Sequence, residues 1–197
     1  MVPRTGKIQR KTKETQVEVE LNLDGRGDYQ VDTGIPFLDH MLAQVATHGR
    51  FDLRLRARGD LEVDAHHTVE DVGICLGQAF RQALGDGKGI TRFAWALAPM
   101  DETLVLAAVD LSGRPFLHYN VPVERALLGS FPTDLAEDFF RALVAHGGFT
   151  LHLNLQYGKN PHHIIEALFK AMALALGQAV RREQGRDKVP STKGRLD

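Results

Sequence analysis

The chain has 197 residues, a formal net charge of −1 and one cysteine, and no apolar run approaches the ~20 residues of a membrane span. Near-neutral charge argues against a protein built for nucleic acid or a membrane surface. Cys75 has no partner for an internal disulfide, which fits a reducing cytoplasm, and the basic first 13 residues lack the apolar core of a signal peptide.

In chain order, Val17, Val19, Leu21 and Leu23 alternate with polar residues before the turn Asp24-Gly25-Arg26-Gly27. This period of two predicts a half-buried strand. Residues 37–53 (FLDHMLAQVATHGRFDL) begin as a helix and end in a second alternating strand through Phe51, Leu53, Leu55 and Ala57. Gly59-Asp60 then turns into a short extended Leu61-Glu62-Val63, and Asp64 caps a helix before Ala65. Residues 93–121 are rich in strand and are broken at Ser112-Gly113-Arg114-Pro115. Residues 135–151 (LAEDFFRALVAHGGFTL) repeat residues 37–53 at an offset of 98, so that His48 matches His146 and Phe51 matches Phe149. A last helix starts with Asn160 as cap and Pro161 in its first turn. The expected fold class is α+β: one domain made by internal duplication of two similar halves, helices packed between two small mixed β-sheets. The halves are about 1–90 and 91–185, followed by a C-terminal loop at 186–197.

Both long helices open on the same motif, His66-His67-x-x-Glu70 and His162-His163-x-x-Glu166, 96 residues apart. At roughly 100° per residue, each glutamate shares a face with both of its histidines, while the two histidines diverge by that same angle. Each pair therefore suits two ions, one histidine apiece. A helix N-terminus also disfavours the imidazolium and keeps the neutral ring that a metal needs.

Two histidines have no counterpart in the repeat: His40 stands opposite Asp138, and His152 opposite Arg54. Adding them gives six histidines and two glutamates, enough for two sites of three His and one Glu. Such a set leaves about two positions free on an octahedral ion such as Mn²⁺. Zinc would accept the same donors, but four of them would close a tetrahedral site. His48, His118 and His146 read as packed or solvated, and Cys75 as core.

These residues sit in blocks that closely resemble the imidazoleglycerol-phosphate dehydratase family. The blocks are Lys13-Glu14 with TQVEVELNLDG (15–25), GIPFLDHML (34–42), residues 64–77, DLSGRP (110–115), residues 162–170 and PSTKG (190–194). They span nearly the whole chain in order, and the length implies a monofunctional form without a fused phosphatase domain. The resemblance implies dehydration of imidazole glycerol phosphate to imidazole acetol phosphate in histidine biosynthesis, through an imidazolate held by two metals.

It further implies two Mn²⁺ per subunit, one on His40, His67, Glu70 and His163, the other on His66, His152, His162 and Glu166. Glu14 is implied as general acid/base. Arg92, Arg114, Lys170, Ser191, Thr192 and Lys193 are implied at the phosphate, with residues 191–194 folding over substrate. A homo-oligomer of 24 subunits, with active sites shared between neighbours, completes the expectation. Two other readings compete. A dinuclear phosphate-ester hydrolase would favour an aspartate-rich site, and a structural-metal assembly would leave the Arg, Lys and Ser set without a purpose.

Overall fold

Strand alternation and helical stripes occur twice along the chain, and the computed structural model turns each occurrence into the same unit. It describes residues 3–183, 185 and 187–196. Met1 and Val2 of the basic N-terminal run, and Arg186 and Asp197 of the expected C-terminal loop, lie outside the described residues.

The first unit runs β1 (Thr5–Lys11), β2 (Thr15–Asn22), β3 (Tyr29–Asp32), α1 (Pro36–Gly49), β4 (Asp52–Gly59) and α2 (His66–Leu84). The second runs β5 (Phe93–Met100), β6 (Thr103–Asp110), β7 (Phe116–Asn120), a small hairpin of β8 (Leu127–Leu128) and β9 (Phe131–Pro132), then α3 (Leu135–Gly147), β10 (Thr150–Tyr157) and α4 (Pro161–Ala179). Their sheets have matching orders, β1-β2-β4-β3 and β5-β6-β10-β7. In each, the outermost pair (β3/β4, β7/β10) is parallel and the rest antiparallel. The duplication expected from the repeated motif is therefore a repeat of topology.

Each sheet buries one face under helices. Val17, Val19 and Leu21 of β2, with Leu53, Leu55 and Ala57 of β4, point inward, whereas their neighbours Glu18, Glu20, Arg54 and Arg56 face outward. Helix α2 lies on β1 and β2, α4 lies on β5 and β6, and the helices pair as α1 with α4 and α2 with α3. Glycines set how closely the pairs approach. A Cβ on Gly77 of α2 would come 2.5 Å from the Leu143 carbonyl oxygen and 2.9 Å from the Gly147 nitrogen, and one on Gly177 of α4 would come 2.6 Å from the Gly49 carbonyl oxygen.

One element was not anticipated, and two local expectations need correction. The basic N-terminal run is strand β1, paired with β2 along its whole length; a strand packed on one side needs few apolar residues, and Gly6 fits against the Ala79 backbone of α2. Residues 61–63 form an exposed turn, with Val63 67% accessible, because no neighbouring strand offers them a ladder. Asp64 is not the N-cap of α2. That position falls to Ala65, although the Asp64 carboxylate still accepts the His66 N–H at 2.7 Å. Asn160 and Pro161 behave as expected, the asparagine accepting from His162 N–H. Cys75 is buried, and loss of solvation pushes its thiol up to about 12, so it is inert packing.

Gly77→Ala tests the helix crossing. Alanine gains roughly 1 kcal/mol of helix propensity over glycine, but the clash with α3 backbone costs about 1–3 kcal/mol. The expected outcome is a thermal midpoint lowered by a few degrees in a melting experiment. A raised midpoint would mean that α2 and α3 are not in this close contact.

Candidate active site

Helix packing brings donors together that are far apart in sequence. His40 is on α1, whose start is fixed by Asp39 accepting from the Thr33 N–H (2.8 Å) and hydroxyl (2.6 Å). His162 and Glu166 lie one turn apart on α4. His40, His162 and Glu166 offer ligand atoms that all fall within 4.8 Å of one another, the one such group of three among the described residues. One oxygen of Glu166 lies 3.1 Å from His162 Nε2 and 3.3 Å from His40 Nε2; the other accepts from Lys170 Nζ at 2.7 Å. Burial opposes ionisation of Glu166, but the hydrogen bond and charge of Lys170, with His40 and His162 beside it, hold its carboxyl below the usual range. The result is a buried anion flanked by two imidazoles, a donor set that fits a divalent transition ion. The three residues come from both of the ligand sets drawn up from the sequence.

The other half repeats the plan with one substitution. His66 Nδ1 is 3.8 Å from Asp138, the counterpart of His40, and the adjacent Glu70 is exposed. The second histidine of each motif turns away from the first, the rings of both pairs standing nearly perpendicular with centroids 6.1 Å apart. His67 Nδ1 lies 3.0 Å from Asp60, whose hydrogen bond raises the histidine's pKa, and 4.0 Å from Glu14. His163 Nδ1 donates to Glu102 at 2.7 Å, and Asp101 lies 3.7 Å from its Nε2. Backbone donors from Asn160 and Lys159, together with His163, hold the Glu102 carboxyl well below the ordinary range. His152 stands apart on β10, its ring 5.2 Å from that of His118 on β7.

Glu14 is in the β1–β2 turn. The Thr12 hydroxyl accepts its N–H at 3.1 Å, and buried Asp71 anchors the turn to α2 through Thr15 and Arg10. Five of the six residues expected at a phosphate converge. Arg92, Arg114, Ser191, Thr192 and Lys193 line one cavity of about 220 Å³. Arg92 joins its two sides, pairing with Asp110 at 2.8 Å and donating to the Pro190 carbonyl at 2.8 Å. The sixth, Lys170, belongs instead with Glu166. A larger cleft, about 660 Å³, opens near His48, Arg50 and Arg182 and holds none of the expected site residues.

Asp60, Glu102 and Asp138 were missed from the sequence because only histidines and motif glutamates were counted as ligands or partners. Two of them carried a signal. Asp138 is the repeat counterpart of His40, and Glu102 precedes Thr103 as Glu14 precedes Thr15.

The imidazoleglycerol-phosphate dehydratase family profile matches residues 33–176. The imidazoleglycerol-phosphate dehydratase of Symbiobacterium thermophilum is 57% identical over 196 residues, covering 100% of this chain and 94% of that protein. The one from Desulforudis audaxviator is 55% identical, with 98% of each covered. Among solved structures, the Staphylococcus aureus dehydratase superposes with a TM-score of 0.83 at 38% identity, over 91% of this chain and 99% of that one. The Pyrococcus furiosus structure gives 0.82 at 37%, over 96% and 100%. The chain belongs to the imidazoleglycerol-phosphate dehydratase family and is a hydro-lyase of histidine biosynthesis.

Proposed function

We propose that the chain removes water from imidazole glycerol phosphate, giving imidazole acetol phosphate, at divalent-metal centres completed by neighbouring copies of itself. The observation that carries this reading is the His40, His162 and Glu166 group, with its carboxylate kept ionised. Two ions per subunit, Mn²⁺ as an octahedral ion that takes imidazole and carboxylate together and keeps positions free, would draw on these residues and on His66, His67, Glu70, His152 and His163. Bound ions would supply Lewis acidity to the substrate's ring, lowering the cost of the electron-rich form that expels the adjacent hydroxyl. The protein then has to move protons. Glu14, in an exposed turn 4.0 Å from His67, would as the acid protonate the departing hydroxyl and then, as the carboxylate, take the hydrogen from the next carbon. Water leaves, and the enol that remains becomes the ketone. The phosphate fits the cavity of Arg92, Arg114, Ser191, Thr192 and Lys193.

Completion by further copies is supported by the contrast between the sheets. The outer face of the first sheet is charged, with Lys7 paired to Glu20 and Arg58 to Asp32. The outer face of the second carries Phe93, Trp95, Leu97 and Phe116, each more than half exposed in the single chain, with His152 among them. Such a patch suits burial against a second copy. No helix among the described residues is long and apolar enough to cross a membrane, and the reducing cytoplasm remains the proposed location.

Chelator-stripped protein, with Mn²⁺ restored to one half, is expected to turn substrate over only in the restored sample. Absence of product from folded protein with metal rebound would refute the assignment. Trp95→Glu is expected to reduce the particle mass in sedimentation and to reduce turnover with it. Full activity of the unaltered protein as a single chain would contradict shared sites.

A further inference from the structure

Each motif contains a histidine whose Nδ1 is held by a carboxylate outside the motif, and the two carboxylates come from unrelated places. In the first half it is Asp60, just after β4, at 3.0 Å from His67 Nδ1. In the second it is Glu102, in the β5–β6 turn, at 2.7 Å from His163 Nδ1. The repeat counterpart of Glu102 is Glu14, since each immediately precedes the buried threonine that opens the next strand, Thr15 or Thr103. Because β10 bulges between Leu155 and Tyr157, Gly158 beside Thr103 matches Gly59 beside Thr15, and the position that corresponds to Asp60 is Lys159. A lysine there offers no carboxylate, and the second half uses Glu102 instead.

We infer that Glu102 is the positioning residue of His163, as Asp60 is of His67, each fixing the ring and its tautomer so that Nε2 presents its lone pair to a metal ion. The inference rests on the metal-dependent reading given above. An ionised carboxylate accepts hydrogen bonds and cannot donate them, so the proton must sit on Nδ1 and the lone pair on Nε2. Glu102 is itself immobilised: one oxygen takes the N–H of Lys159 (3.1 Å) and of Asn160 (2.8 Å), and the Thr103 hydroxyl at 3.2 Å. The acceptor is thus built into the turn that starts α4. The exposed Asp101 carboxylate lies 3.7 Å from Nε2, on the side from which a metal ion would approach. The swap of loops also gives Glu14 its freedom. Because Asp60 performs the orienting task in the first half, the glutamate that would otherwise be tied to His67 is left for proton transfer.

Glu102→Gln isolates the effect. The amide oxygen keeps the backbone donors of Lys159 and Asn160, so the NH₂ must face His163 Nδ1. That forces the ring proton onto Nε2 and blocks metal binding there. Metal-free full-length protein would be titrated with Mn²⁺, following the free ion by electron paramagnetic resonance, alongside a melting curve of the apo-protein. The expected result is an unchanged apo midpoint with about a 10–100-fold weaker affinity for one class of Mn²⁺ site. Glu14→Gln should keep parental affinity, and Asp60→Ala, in a solvent-facing turn, should weaken it by a similar factor. Parental Mn²⁺ affinity in both Glu102→Gln and Asp60→Ala would overturn the inference. So would a lower apo midpoint with unchanged affinity in Glu102→Gln, which would mark Glu102 and Asp101 as a structural pair around a doubly protonated His163. Failure of the parent itself to bind Mn²⁺ would instead remove the metal-dependent reading on which the inference stands.

Discussion

Adjacent residues on a helix point roughly 100° apart, so two neighbouring histidines cannot close on one ion without bending the helix. That constraint organises the molecule. Each motif must find its remaining donors elsewhere, and the helix pairs supply them. Helix α1 lays His40 against the first turn of α4, and α3 lays Asp138 against the first turn of α2. The close crossings at Gly77 and Gly177 are what bring these turns within reach of their partners. The second histidine of each motif, turned outward, is held by Asp60 or Glu102.

Electrostatics then separates the tasks. At the first turn of α4, Lys170 keeps Glu166 ionised in a setting where burial alone would favour its neutral form. A metal arriving there meets an anion already formed between two imidazoles. The cationic groups proposed for phosphate are collected elsewhere, where the C-terminal segment folds back on Arg92. The proposed metal donors and phosphate donors therefore do not share partners, apart from Lys170.

Much of this was legible in the sequence. The doubled motif announced the duplication, because identical donor spacing at matching offsets needs matching frames, and alternation at Val17, Val19 and Leu21 marked a strand buried on one side. The phosphate set, by contrast, came from the family resemblance alone, since composition leaves residues 186–197 as a polar tail. The illegible parts are contacts made across long separations. Nothing local to residues 4–13 shows that β2 and α2 will cover one face of that run and make it a strand. Asp60 and Glu102 matter through histidines 7 and 61 residues away, and although the repeat matches Glu102 to Glu14, it does not show which histidine either carboxylate meets. The grouping of His40 with His162 and Glu166 likewise depends on how α1 packs on α4, which periodicity alone does not specify.

The most direct measurement is anomalous X-ray scattering from crystals grown with Mn²⁺. The expected result is a manganese peak within bonding distance of His40 Nε2, His162 Nε2 and Glu166, with the remaining ligands drawn from a neighbouring copy. Full-occupancy Mn²⁺ located only at other residues, or a density map in which these three side chains bond one another with no ion between them at saturating Mn²⁺, would contradict the metal centre on which the proposed chemistry depends.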